Sequence, residues 1–351
     1  MLTLEVNFSQ HVIDDPKYIS DEKMTTFIIV VDILVLGVFS VTGIISNIIN
    51  MIIFVKQVLK DSMTVGLFSL AFTDFSIATL ELTFSCTYLA SVICPWSSVD
   101  FWALNNITLT WSICALYLTS CWITAIISLE RCFCVVYPFS VKQIFTRGRC
   151  VLLIIVVYTL HISAVLPVYL VEKMEWLPFD FQANNGSMTS IQQRWIYSIA
   201  FSESTQELDI IMDITAGLFL FITPQLIVLV CSVWMAIALK LSSTVRTRKD
   251  GDDNAALKSS TKYSNLTRQE KKLIKMVLFV DVLQLACNVP RITVIIYYHV
   301  VFPGLDMALV KNFSTVLWTC ALVINTISCF SNSLGYYFLN SLYRNMFRNL
   351  F

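Results

Sequence analysis

The chain has 351 residues, 56% of them hydrophobic and only 14% charged, with 24 basic side chains balancing 24 acidic ones. Soluble domains carry about 25% charged residues, so this balance points to a membrane protein. The zero net charge is silent about partners, and the lack of a basic domain or an aromatic-basic face speaks against nucleic acid.

Residues 1–26 carry Glu5, Asp14, Asp15, Asp21 and Glu22 and no apolar core. No cleavable signal peptide is expected there, and the first hydrophobic segment is expected to direct insertion. Seven apolar stretches follow, near Phe27–Phe54, Val65–Ile93, Ile107–Val136, Val151–Val171, Ile210–Leu239, Leu273–Val301 and Val310–Phe338. Each reaches the roughly 20 residues that a helix needs to cross a bilayer, and short connections separate most of them. The predicted fold is an all-α membrane protein: a seven-transmembrane helix bundle over residues 27–338, with no soluble domain left over. Beyond it, Leu339, Leu342, Tyr343, Met346, Phe347 and Leu350 repeat at helical spacing, with Arg344, Asn345, Arg348 and Asn349 opposite. That pattern predicts a short amphipathic eighth helix over 339–351, lying on the inner leaflet.

Basic residues set the orientation. Lys56 and Lys60 follow the first span, and Lys142, Arg147 and Arg149 follow the third. The connection at about 240–271 holds Arg246, Arg248, Lys249, Lys258, Lys262, Arg268 and Lys271, whereas the opposite loops carry Asp100, Glu172, Glu175, Asp180, Glu203 and Glu207. The positive-inside bias predicts a multi-pass protein with its N-terminus outside. Sequons at Asn7 and Asn185 fall on that outer side and are candidate glycosylation sites.

Of the 11 cysteines, nine lie in or beside apolar segments, where they are expected to pack as small hydrophobes. Cys86 and Cys94 sit near a possible outer loop, but no other loop offers a partner, so a structural disulfide is doubtful. His11, His161 and His299 lack companions at metal-ligand spacing, and no catalytic constellation is present.

Ionisable groups inside a bilayer are costly and usually functional. Asp74 stands in the middle of the second span, Glu81 two turns further out, Asp281 in the inner half of the sixth span and Arg291 directly after Pro290. Asn47, Asn50, Asn288, Asn325 and Asn332 add amides, which in other settings serve only as interhelical glue worth about 0.6–2 kcal/mol. Pro167, Pro224 and Pro290 each remove a backbone donor within a span. SLERCFCVVYP closes the third span and puts Glu130 beside Arg131 at the membrane edge. The pair reads either as an interface anchor or as a switch in which a carboxylate holds an arginine.

Taken together, these residues resemble the rhodopsin-like family of G-protein-coupled receptors. GIISN matches the family's Gly-x-x-Gly-Asn segment with Ser46 in place of glycine, and SLAFTD matches its Leu-Ala-x-x-Asp motif at Asp74. ERC, with Pro138 trailing, matches Asp/Glu-Arg-Tyr with Cys132 for the tyrosine. FITP matches Phe-x-x-Pro at Phe221 and Pro224, CNVP matches Cys-Trp-x-Pro at Cys287 and Pro290, and NSLGY matches Asn-Pro-x-x-Tyr at Asn332 and Tyr336. The matches fall in order over nearly the whole chain. Departures mark a divergent branch: Asn288 replaces the toggle tryptophan, Ser333 replaces the seventh-helix proline, and Asn106 replaces the cysteine that ties the third helix to the second outer loop. DSMTVGLFSLAFTDF and ERCFCVVYPFSVKQIFTRGR are similar to chemosensory receptors of gastropod molluscs.

The resemblance implies a plasma-membrane receptor, not an enzyme, that detects an extracellular small molecule or peptide and activates a heterotrimeric G protein. A neuropeptide receptor, a transporter and a signalling-inactive decoy are the alternatives. Glu130, Arg131, Glu270, Asn332 and Tyr336 match switch and coupling positions. Glu270 is either the sixth-helix partner of Arg131 or a solvated side chain beside Lys271 and Lys272. Asp74, Ser120, Ser328 and Asn332 match positions that ring a sodium ion, with Asn288 nearby and a protonated Asp74 as the competing state; no other cofactor is implied. Glu81, Ile113, Tyr117, Asn288, Arg291, Trp318 and Asn325 fall at the depth where the family binds ligands. Arg291 and Glu81 would together suit a zwitterion such as an amino acid or a peptide terminus, or else neutralise each other.

Overall fold

Among the described residues, seven helices are long and apolar enough to span a bilayer, and most run past the apolar windows that predict them. The computed structural model describes residues 21–57, 61–137, 141–184, 189–200, 208, 211–212, 215, 219–249, 268–301 and 307–350. The spans are α1 (Lys23–Lys56), α2 (Ser62–Ile93), α3 (Phe101–Val136) and α4 (Arg147–Val171), followed by α5 (Phe221–Lys249), α6 (Arg268–Val301) and α7 (Met307–Leu339). A short α8 (Ser341–Arg348) follows.

The extra length comes from polar capping residues that an apolar window cannot see. Asp100 Oδ1 accepts from the backbone N–H groups of Trp102 and Ala103 at 3.0 and 3.1 Å, so α3 begins at Phe101 rather than Ile107. Thr146 accepts from the N–H of Arg149, which starts α4 four residues earlier than expected. Such caps satisfy donors that the first helical turn leaves open. At the outer end, so named after the orientation expected from the basic residues, α1 begins inside the 1–26 stretch expected to precede the bundle. Two stretches, Ile28–Val35 in α1 and Asn106–Thr110 in α3, are wound as π-helix.

α2 and α3 form the centre. Buried residues make up 61% and 67% of an 18-residue apolar stretch of each, against 28% for α1 and α4. α3 packs against α2, α4, α5 and α6. Leu34, Val38 and Ile45 on α1 and Leu152, Leu160 and Leu170 on α4 are exposed, as expected of side chains that face lipid. Gly43 lets α1 approach α2 closely, because a Cβ there would stand 3.1 Å from the Cβ of Ala78.

Strands are the departure from an all-helical outer face. β1 (Met174–Asn184) pairs antiparallel with β2 (Thr189–Ile199), where the sequence reading expected only a connection. The Trp176 and Tyr197 rings, directly opposite in register, lie 5.4 Å apart and make a cross-strand pair. The hairpin is fastened to the start of α3 by main-chain bonds. The N–H of Tyr197 donates to Ser98 at 2.7 Å, the N–H of Asp100 donates to Tyr197 at 3.0 Å, and Ser198 Oγ donates to Asp100 Oδ2 at 2.8 Å. All 11 cysteines are free, Cys86 and Cys94 included. This backbone attachment stands where the resemblance would lead one to expect a disulfide.

At the inner end α8 starts on Asn340, whose side chain accepts from the N–H groups of Leu342 and Tyr343. Tyr343 is buried against Phe54 and Tyr336, with ring centroids 5.9 and 5.8 Å away. Its hydroxyl donates to Asn50 Oδ1 at 2.6 Å. Asn50 Nδ2 in turn donates to Asn47 Oδ1 and to Ser333 Oγ. Ser333, a departure from the family pattern, thus serves as an acceptor that ties α7 to α1.

Candidate functional site

The polar residues picked out by sequence form three layers along the bundle axis. In the outer half, Arg291 on α6 is 7% exposed. Its guanidinium carbon stands 4.8 Å from the ring centre of Tyr117, 5.3 Å from Phe221 and 5.9 Å from Trp318. Its Nη2 donates weakly to Cys114 Sγ at 3.5 Å, and its Nε has no partner. Among the described residues no carboxylate forms an ion pair with it. Cation–π contacts of this kind contribute about 0.5–2 kcal/mol each, which offsets only part of the cost of burying an unpaired charge.

Glu81 is not that missing partner. It is fully buried on α2, where Oε2 accepts from Thr326 Oγ1 at 2.9 Å and Oε1 has no partner. Of the two alternatives, mutual neutralisation of Arg291 and Glu81 is therefore not what the structure has: α7 captures Glu81 through Thr326. Asn325, one residue earlier on α7, is buried with Oδ1 unpartnered. Ile113 packs in the outer apolar cluster with Tyr117, Phe221 and Trp318. Asn288 accepts from the Tyr117 hydroxyl, and its Nδ2 points to Cys121 Sγ at 3.9 Å. The residue at the toggle position is thus tied to α3 by hydrogen bonds rather than by ring packing.

In the middle layer, Ser120 Oγ donates to Asp74 Oδ1 at 2.9 Å, and Asn332 Nδ2 donates to Oδ2 at 3.0 Å. Ser328 lines the same cavity of about 10 Å³, room for one water-sized occupant. The predicted quartet is brought together. Asn288 is absent from that lining, because its side chain is turned to Tyr117 and Cys121.

At the inner end, Glu130 is 4% exposed and accepts from Ser62 Oγ at 2.6 Å and from Arg131 Nη2 at 2.7 Å. Among the described residues, the ion pair of Arg131 is with Glu130. Glu270 is exposed at the start of α6, within electrostatic reach of Cys134 but outside that pair. Tyr336 is buried between Phe54 and Tyr343, its hydroxyl without a partner.

What clasps α6 instead is Asp281, whose depth was readable without its role. The residue is fully buried; Ser128 Oγ of α3 donates to Oδ1 at 2.5 Å, and Ser232 Oγ of α5 donates to Oδ2 at 2.7 Å. Three helices meet on one carboxylate. Sequence reading also missed Asp32, a buried acid of α1, and Phe221 as a ring facing Arg291. A charged residue inside the first apolar run was the available signal for Asp32. Asn7 and Asn185 lie outside the described residues.

The chain matches the family described as 7 transmembrane receptor (rhodopsin family) over residues 46–336, and it belongs to that family. It is a membrane receptor built on seven spanning helices, not an enzyme. No curated protein matches it.

Proposed function

We propose that this receptor sits in the plasma membrane with its N-terminus outside, detects a water-soluble small molecule or short peptide bearing an anionic group, and activates a heterotrimeric G protein. The observation that carries the reading is Arg291: a buried guanidinium, walled by three aromatic rings, with no carboxylate among the described residues to neutralise it. A guanidinium is a planar fork suited to a carboxylate or phosphate. Glu81 and Asn325 each add an unpartnered oxygen in the outer half, which supports a zwitterion such as an amino acid or a peptide terminus. The likeness to gastropod chemosensory receptors agrees with a ligand dissolved in water.

Signalling in this reading runs through α6. An anion on Arg291 competes with the Tyr117 and Phe221 faces and shifts α6 against α3 and α5. The clasp of Asp281 on Ser128 and Ser232 resists that movement, and its release opens the inner face. Arg131, then freed from Glu130, meets the G protein together with Glu270, while Asn332 and Tyr336 relay movement of α7. Asp74, Ser120, Ser328 and Asn332 suit a hard monovalent cation: one buried carboxylate, two serine hydroxyls and a side-chain amide line a cavity for a single small occupant. A sodium ion there would offset the cost of the buried charge.

Expression with promiscuous G proteins and a screen of metabolites in pairs, each acid with its primary amide, tests the reading. Responses confined to the acids support it; equal responses to the amides overturn it.

A further inference from the structure

A second cavity, of about 190 Å³, opens on the outer side between α1, α2, the start of α3 and the hairpin. Its walls include Thr25, Ile28, Tyr88, Phe101, Trp102 and Ile196. Asp100 is the carboxylate on the wall itself; one helical turn below Ile28, on the same buried face of α1 and just beneath the lining, lies Asp32. That side chain is 1% exposed, and its Oδ1 has no hydrogen-bond partner. Thr319 of α7 bonds to the carboxylate, and Ser85 Oγ takes up the backbone carbonyl of Asp32 at 2.7 Å. Among the described residues no cation pairs with it.

The surrounding charges lean one way. Tyr88, on the cavity wall, is within electrostatic reach of both Asp32 and Asp100. Asp100 already accepts from two backbone N–H groups and from Ser198, so it adds negative potential while most of its acceptor positions are taken. Arg194, the cation near the rim, donates to the carbonyl of Trp96. Buried carboxylates call for a partner or a counter-charge, and a primary ammonium brings three donors. The rings of Tyr88, Phe101 and Trp102 suit both an apolar body and a cation at its edge.

We propose that this cavity is a binding site for a small primary ammonium with a short apolar or aromatic body, with Asp32 as its charge partner, separate from the Arg291 pocket. The site does not depend on the Arg291 reading. Arg291 calls for an anion, whereas this cavity calls for a cation.

Cys94 is a free thiol on the cavity wall and reports occupancy. The full-length receptor, with the exposed Cys86 and Cys320 changed to Ser, is treated with a water-soluble thiol reagent in the presence of 2-phenylethylammonium or of neutral 2-phenylethanol. At ten times its Kd the ammonium slows modification of Cys94 about tenfold, and the alcohol does not. Asp32→Asn abolishes the protection, and Arg291→Gln leaves it intact. Equal protection by the alcohol, no protection by either probe, or protection that survives Asp32→Asn overturns the proposal. Should Asp32→Asn fail to reach the membrane, Ile28→Trp fills the cavity above an unchanged Asp32. Loss of protection in that variant supports the site, and its retention overturns it.

Discussion

Replacing Ser232 by Ala removes one of the two hydroxyls on Asp281 and leaves the packing of α5 almost unchanged. In the closed arrangement the carboxylate Oδ2 then loses its donor at 2.7 Å while Asp281 stays fully buried. In an open arrangement, with α6 displaced, the carboxylate reaches water at the inner face and needs no serine. The substitution therefore penalises the resting state selectively. Interhelical hydrogen bonds in membranes contribute about 0.6 kcal/mol on average and about 1.7 at most. At roughly 1.4 kcal/mol per factor of ten, ligand-free signalling should rise about three- to fifteenfold, provided that the active state is rare at the outset. Ser128→Ala should do less, because that hydroxyl also bonds to the carbonyl of Thr124 at 2.9 Å. Asp281→Asn should do less still, since its amide can accept from one serine and donate to the other. The assay is basal G-protein activation at matched surface expression, with Ser232→Ala and Asp281→Asn combined in a double-mutant cycle. Basal signalling that stays flat or falls in Ser232→Ala would refute the clasp. A fall would mean that the Ser232 hydroxyl stabilises the open arrangement more than the closed one.

Three further outcomes are expected. Sodium should weaken agonist binding in the native receptor, and Asp74→Asn should remove that dependence in a competition assay run against choline. Tyr343→Phe removes the hydroxyl that reaches Asn50 at 2.6 Å; the loss of about 1 kcal/mol should lower the thermal midpoint of the purified receptor while leaving ring packing intact. With every cysteine free, a reducing agent should leave that midpoint unchanged, whereas Asp100→Ala should lower it by removing the α3 cap and the bond to Ser198 together.

The seven spans were legible because length and hydropathy alone decide which segments cross a bilayer, and the motifs from Asn47 to Tyr336 fixed the family. The hairpin was not legible from hydropathy, which the outer connection lacks. Asn185-Gly186, between two runs rich in aromatic and β-branched residues, is the hairpin signal that could have found it. The Asp74 cluster was predicted residue by residue. The surroundings of Arg291 and Glu81 were not, because helical spacing places a residue at a depth without saying which neighbouring helix will capture its side chain. Thr326 took Glu81, and the rings of Tyr117, Phe221 and Trp318 surrounded Arg291. Asp281 shows the same limit: its depth was readable, but its two serines lie 153 and 49 residues away in sequence.

Arg291 has no carboxylate partner among the described residues, and the proposed acidic ligand would supply one. The most direct test measures the response of Arg291→Gln, at matched surface expression, to an active acid and to its primary amide. The variant should reach the surface, and its response to the acid should fall at least about tenfold, the scale of one lost charge-assisted hydrogen bond. The response to the amide should stay near the native level. An undiminished response to the acid in Arg291→Gln would contradict this role of Arg291.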